Sequence, residues 1–210
     1  MALTVSDHGG GEFFLIPEGT HLATCYGIVD VGTQETAYGD KQQMLVLWEL
    51  PQVRHVFKEE RGEEPAVISK WFTASLNEKS NLRAALEAWR GKGFTEKELQ
   101  GFEMKRVLGA GCMLAITHKA NQKGDPRPRI SSVMALPQGT QVPAASLESF
   151  YYQIEELTGG DYEKLPQWIK KALGNSAEFK KAGIEVVDMQ PAETGDGPPN
   201  DTVETDDIPF

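Results

Sequence analysis

Cysteine is scarce: Cys25 and Cys112 are the only two in 210 residues, too few for a disulfide framework. No apolar run approaches the ~20 residues of a membrane-spanning helix. The start, MALTVSDHGGGEFF, lacks the basic-then-apolar order of a secretory signal. Secretion and membrane insertion are therefore not expected, and a reducing cytoplasm is the expected compartment. The usual catalytic and cofactor motifs are missing as well. There is no G-x-x-x-x-G-K-[ST] loop, and Gly109-Ala110-Gly111 lacks the third glycine of a dinucleotide fingerprint. His8-Gly9-Gly10-Gly11 has no G-x-S-x-G partner to supply a nucleophile. Cys112 with His118, Cys25 with His21, and the isolated His55 do not make a four-ligand zinc pattern. The pairs Glu59/Glu60 and Glu63/Glu64 fall in a stretch that reads as a solvated connection. No nucleophile–base pairing supports an enzyme, and neither a metal nor a cofactor is expected.

Basic residues are absent from one whole region, and that absence dominates the charge. Residues 1–19 hold three acids and no base, residues 20–139 hold 16 bases against 14 acids, and residues 140–187 hold 5 against 7. Residues 188–210 hold no base and 7 acids, which brings the net charge to −10. The central segment is thus slightly basic, and the pI of about 4.9 describes the tail more than the body.

With 40% hydrophobic and 9% aromatic residues, the chain has enough apolar surface for one or two domains. Its pattern divides it into four parts. Residues 1–16 read as a flexible N-terminal segment, 17–139 as the main domain, 140–187 as a helical extension and 188–210 as a disordered acidic tail. In the extension, Leu165, Trp168, Ile169, Ala172 and Leu173 fall at helical spacing. With Tyr151, Tyr152, Ile154 and Leu157 upstream, they predict two or three short helices between Ser146 and Ala182, broken at Gly159 and Gly160.

The main domain reads as strands interrupted by one helix. His21–Val31 is β-prone, with Gly27 placed to let a strand bend sharply. Lys41–Leu50 follows a polar loop with Tyr38 and stops at Pro51, and Ala66–Leu76 follows a charged connection. The period then becomes helical: Asn77 or Ser80 caps, Leu82, Ala85, Leu86 and Trp89 form one face, and Gly91 and Gly93 end the helix. Strands Cys112–Lys119 and Arg129–Leu136 follow, joined by the loop ANQKGDPRP. The order β-β-β-α-β-β is that of a five-stranded oligonucleotide-binding (OB-fold) Greek-key barrel, whose helix plugs one end. The predicted class is therefore mainly β, with a small helical extension and an acidic tail.

The chain ends Asp206-Asp207-Ile208-Pro209-Phe210. An acidic pair, a rigid proline and a terminal aromatic with its carboxylate suit a pocket rimmed by Arg or Lys. This tail resembles the partner-binding tip of bacterial single-stranded DNA-binding proteins. The body, with KQQMLVLWEL and ISKWFTASLNEKSNLRAALEAWRGKGF, resembles phage-encoded single-stranded DNA-binding proteins over roughly residues 17–139. The resemblance implies a protein that coats single-stranded DNA in replication, recombination or repair and recruits partner proteins through Asp206, Asp207, Ile208, Pro209 and Phe210. Seven carboxylates and the terminus, tethered close by, are also expected to compete with DNA for the basic surface.

Single strands are held by cations that track phosphates and by aromatic faces on which bases stack. On the second and third strands and the connecting loops, the candidates are Tyr38, Lys41, Trp48, Arg54, Phe57, Lys58, Lys70, Trp71, Lys119, Lys123, Arg127 and Arg129. Trp71 alternates with Ser69, Thr73 and Ser75 and is divided evenly between a stacking platform and core packing, whereas Trp48 among Met44, Val46 and Leu50 favours the core. Nothing reads base sequence. A surplus of only two cations over residues 20–139 leaves a second reading, an OB-fold adaptor that grips replication proteins without touching DNA. A nuclease on the same fold would need a carboxylate cluster that is not identifiable. Edge strands leave pairing between copies of the chain open.

Overall fold

The computed structural model describes residues 14–184 except 122, 143, 159 and 160; the Gly9–Gly11 motif and the acidic tail with its Asp206–Phe210 tip lie outside the described residues. Three long strands come first: β1 (Gly19–Thr36), β2 (Gly39–Lys58) and β3 (Gly62–Thr73). Helices α1 (Asn81–Arg90) and α2 (Glu96–Leu99) lead to strands β4 (Gly111–Ala120) and β5 (Pro126–Met134). A short strand β6 (Phe150–Tyr152) precedes α3 (Ile154–Thr158), α4 (Gln167–Gly174) and α5 (Ala177–Ala182).

The five main strands form one curled antiparallel sheet in the order β3-β2-β1-β4-β5, and β6 joins β1 in parallel at Gly27–Val29. Among the described residues no backbone ladder joins β3 to β5, so the sheet is a half-barrel with a seam between its two ends.

The sheet curls because its longest strands bend. The β1–β2 register shifts between Cys25 and Gly27 and again between Asp30 and Gly32, where Gly32 has φ +72°. Gly27 does what its position predicts, and it also admits a neighbour: a Cβ there would lie 2.6 Å from the Phe150 ring. Alternation in β2 then divides the side chains. Met44, Val46, Trp48 and Leu50 face inward, toward Ile28, Ile68, Phe72 and the buried α1 residues Leu82, Leu86 and Trp89. Leu45 and Leu47 face outward, where α3–α5 bury them with Val29, Val31, Ile154, Leu157, Ile169, Leu173 and Phe179. An apolar run such as MLVLW, with no polar alternation, is what a strand covered on both faces requires.

Helix α1 begins and ends as its sequence predicts. The Ser80 hydroxyl accepts from the Leu82 N–H at 3.2 Å, and Gly91 closes the helix in the left-handed region at φ +66°. Trp89 packs against Trp48 at 5.7 Å and donates its ring N–H to the Gly111 carbonyl, which pins the helix inside the curl.

Four expectations change. Strand β2 does not stop at Pro51; it runs through an irregular stretch between Leu50 and Arg54, where the proline's missing N–H breaks no ladder bond. The charged connection expected after it is the far end of a long β2–β3 hairpin, turning at Glu59–Arg61. Tyr151 and Tyr152 are strand rather than helix, because β6 fills a place beside β1. Phe14 and Ile16, expected in the flexible segment, pack on the inner core, and Ile16 is only 4% exposed.

Candidate nucleic-acid interface

The outward face of β2 and β3 is where the sequence places a strand-binding surface. Much of it is occupied. Helices α3–α5 lie over β1 and β2, and the segment before β6 is held down by Glu49. That carboxylate, 1% exposed, accepts from the Ser146 N–H (3.0 Å), the Ser146 hydroxyl (2.8 Å) and the Leu147 N–H (2.9 Å). At the other end of the cover, Glu178 accepts from the Thr33 N–H and hydroxyl, both at 2.8 Å. Those bonds outweigh the burial around Glu178 and hold its pKa below the ordinary value. Its approach depends on Gly32, where a Cβ would lie 2.5 Å from a Glu178 oxygen.

What remains of the outward face is a strip along β3 and, across the seam, β5. Trp71 pairs with Leu45 in the ladder and is half-buried at the edge of the outer core, flanked on its face by half-buried Ser69 and Thr73. Lys70, its neighbour, points the other way. Its ammonium donates to the Ile130 carbonyl of β5 at 3.0 Å, so this side chain bridges the seam and is removed from the phosphate-tracking set. The reason is parity: Lys70 shares the inward side with Ile68 and Phe72. Trp48 is also removed, being 1% exposed on the inward face.

The most basic element is the β4–β5 hairpin. Both strands run further toward the turn than expected, so its cations stand on a ladder. Lys119 is directly opposite Arg127, and Arg129 is opposite Thr117. Ile116 and Ile130 are inward and buried, which puts Thr117, Lys119, Arg127 and Arg129 on the outward side. The turn is internally fixed: the Asn121 side-chain oxygen accepts from the N–H groups of Lys123 (2.8 Å) and Asp125 (2.9 Å), and Gly124 takes φ +91°. Exposed Lys123 sits at its tip.

The remaining candidates are spread wider. Tyr38 is 55% exposed at the β1–β2 turn, and Lys41 is half-buried on the outward side of β2, opposite Gln34. Arg54 is exposed and already donates to the Glu63 carbonyl at 2.7 Å, with the Glu63 carboxylate at 4.0 Å. Phe57 is half-buried in a ring cluster with His55 and Phe14, and Lys58 pairs through its backbone with Gly62 near the hairpin turn. The structure therefore brings Trp71, Arg127, Arg129 and Lys119 to the seam strip and its hairpin. It places Arg54, Phe57 and Lys58 on a second hairpin.

Sequence reasoning did not find Glu49 or Glu178. A signal existed for Glu49, a lone carboxylate closing the otherwise apolar MLVLWEL run; Glu178 in AEFKKAG has none. Burial pushes the Cys25 thiol up to about 12 and raises Cys112 as well, so neither thiol is a ready nucleophile. Among the described residues no group of three His, Cys, Asp or Glu side chains is placed to hold a metal ion, and no helix is long and apolar enough to cross a membrane. No protein-family model and no curated protein matches the sequence.

Proposed function

We propose that the chain is an OB-type barrel that binds single-stranded DNA without regard to sequence. The observation that supports this best is the outward row Lys119, Arg127 and Arg129 on the hairpin beside the seam that Trp71 borders. Cations at this spacing suit consecutive phosphates, and an indole at the rim suits a base that stacks with no hydrogen-bond readout. The strand order and the helix between β3 and β4 agree with such a barrel, with Lys70 standing in for the ladder at the seam. The acidic tail and its Asp206–Phe210 tip complete the reading as a recruiting segment for replication or recombination proteins. Titrating the full chain with labelled oligo-dT at two salt concentrations tests it: affinity falls steeply with salt if phosphates are bound.

One observation favours the second reading, an adaptor that grips protein. Helices α3–α5 occupy the outward face of β1 and β2, which reduces the platform left for a strand. Under that reading oligo-dT does not bind at either salt concentration, while Phe210→Ala abolishes capture of partner proteins.

A further inference from the structure

The segment Phe14–Glu18, whose first three residues fall in the stretch expected to be flexible, is contacted by every histidine among the described residues. The His118 ring donates from Nε2 to the Ile16 carbonyl at 2.7 Å, and the His21 ring donates from Nε2 to the Pro17 carbonyl at 2.8 Å. The His55 ring stacks on Phe14 at 4.3 Å between centroids and 15° between planes, with Phe57 edge-on to both. Ile16 is buried in the inner core. Strand β1 begins only at Gly19, opposite Ile116, so the His118 N–H further along β4 has no β1 carbonyl to meet. The Glu18 carboxylate takes that N–H at 2.6 Å.

Apart from His21, which stands on β1, the contacting side chains lie on two different hairpins. His55 and Phe57 belong to the β2–β3 hairpin with Arg54, bound to Glu63, and Arg61, 3.4 Å from the Glu64 carboxylate, and His118 belongs to the β4–β5 hairpin with Lys119, Arg127 and Arg129. Strand β1 pairs with β2 only as far as Glu49 and with β4 only as far as Ile116, so among the described residues no ladder joins the parts of the two hairpins beyond those points. The five-residue segment bridges them.

We propose that Phe14–Glu18 is a positioning strap that holds the β2–β3 and β4–β5 hairpins at a fixed separation, so that cations on both meet one strand of DNA. The proposal rests on the DNA-binding reading above and deepens it. The strap touches no phosphate itself; it acts by removing hairpin motion that binding would otherwise have to freeze.

The test uses the full chain with Glu18 replaced in two ways. Glu18→Ala deletes the acceptor for the His118 N–H, whereas Glu18→Gln keeps an oxygen there and loses only the charge. Strap action requires Glu18→Ala to weaken oligo-dT binding by about threefold to tenfold and to speed hydrogen exchange of the 117–129 amides without DNA. Glu18→Gln must stay within about twofold of the parent in both measurements, since the hydrogen bond is retained. Simple removal of a repelling carboxylate gives another pattern, tighter binding in both variants, and that result overturns the proposal. So does an unchanged affinity and exchange rate in Glu18→Ala. Phe14→Ala against Phe14→Leu repeats the test at the β2–β3 end, with faster exchange at 54–57 expected only for alanine. If the parent binds no oligo-dT at any salt concentration, the DNA-binding reading itself fails and the strap's proposed purpose falls with it.

Discussion

The Lys70 ammonium and the Ile130 carbonyl meet at 3.0 Å across the junction of β3 and β5, which no ladder joins among the described residues. A charged donor in that place does the work of a strand hydrogen bond and keeps β3 against β5. Lys70→Met preserves the length of the side chain and removes the donor. The expected result is a loss of about 1–2 kcal/mol in denaturant unfolding. Oligo-dT affinity changes by less than about twofold, because this cation faces inward and contacts no phosphate.

Glu49 is the anchor of the segment that leads into β6. Replacing it with alanine leaves the Ser146 and Leu147 N–H groups without their acceptor, at an expected cost of about 2–3 kcal/mol. Faster hydrogen exchange at 146–152 in Glu49→Ala, with 81–90 unchanged, is the accompanying local signature.

Two carboxylates beside the Gly32 bend titrate in opposite senses. Glu178 has a folded pKa below its ordinary 4.5, so its contribution is present above that value and is lost as pH falls through the folded pKa. Asp30 is raised from 3.8, first by burial, despite accepting from the Gly32 N–H and the Gln42 amide. Its ionisation therefore costs stability, a cost absent at low pH and incurred as pH rises through its folded pKa. Unfolding across pH 3–7 checks both signs. Glu178→Gln is expected to be less stable than the parent at pH 7 and to converge with it in acid. Asp30→Asn gains relative to the parent as pH rises.

Trp71 is the indole that the proposed function needs. Its fluorescence is expected to quench on oligo-dT addition, while Trp48 and Trp89, packed against each other inside the curl, contribute none of the change. Trp71→Phe removes most of the quenching yet keeps a stacking face. Trp71→Ala weakens binding by about 1–3 kcal/mol. Quenching that survives in both variants places the stacked base elsewhere.

Much of the fold was legible because it rests on local patterns. The period change after Leu76, the Ser80 cap and the Gly91 stop mark α1, and the β-prone runs on either side mark five strands in the right order. Strand ends were less legible: a bulge let β2 continue through Pro51, and Asn121 closed a turn that read as an open loop. Side-chain direction depended on parity. It put Trp48 and Trp71 on opposite faces of the sheet, as they are, yet Lys70 looked like a phosphate contact because the gap it spans is formed by β5, sixty residues away. The outer core, the Glu49 and Glu178 anchors and the Phe14–Glu18 strap are long-range pairings, and a lone acid or histidine gives little sign of its partner.

The most direct test of the account is the salt dependence of oligo-dT affinity for the parent and for a Lys119→Glu, Arg127→Glu, Arg129→Glu variant. If these three residues track phosphates, the variant binds far more weakly. Its log–log slope is then shallower by about 2, at ~0.7 per phosphate contact on a single strand. Equal affinity and equal slope for the two proteins would contradict the assignment of the β4–β5 hairpin as a DNA-binding surface.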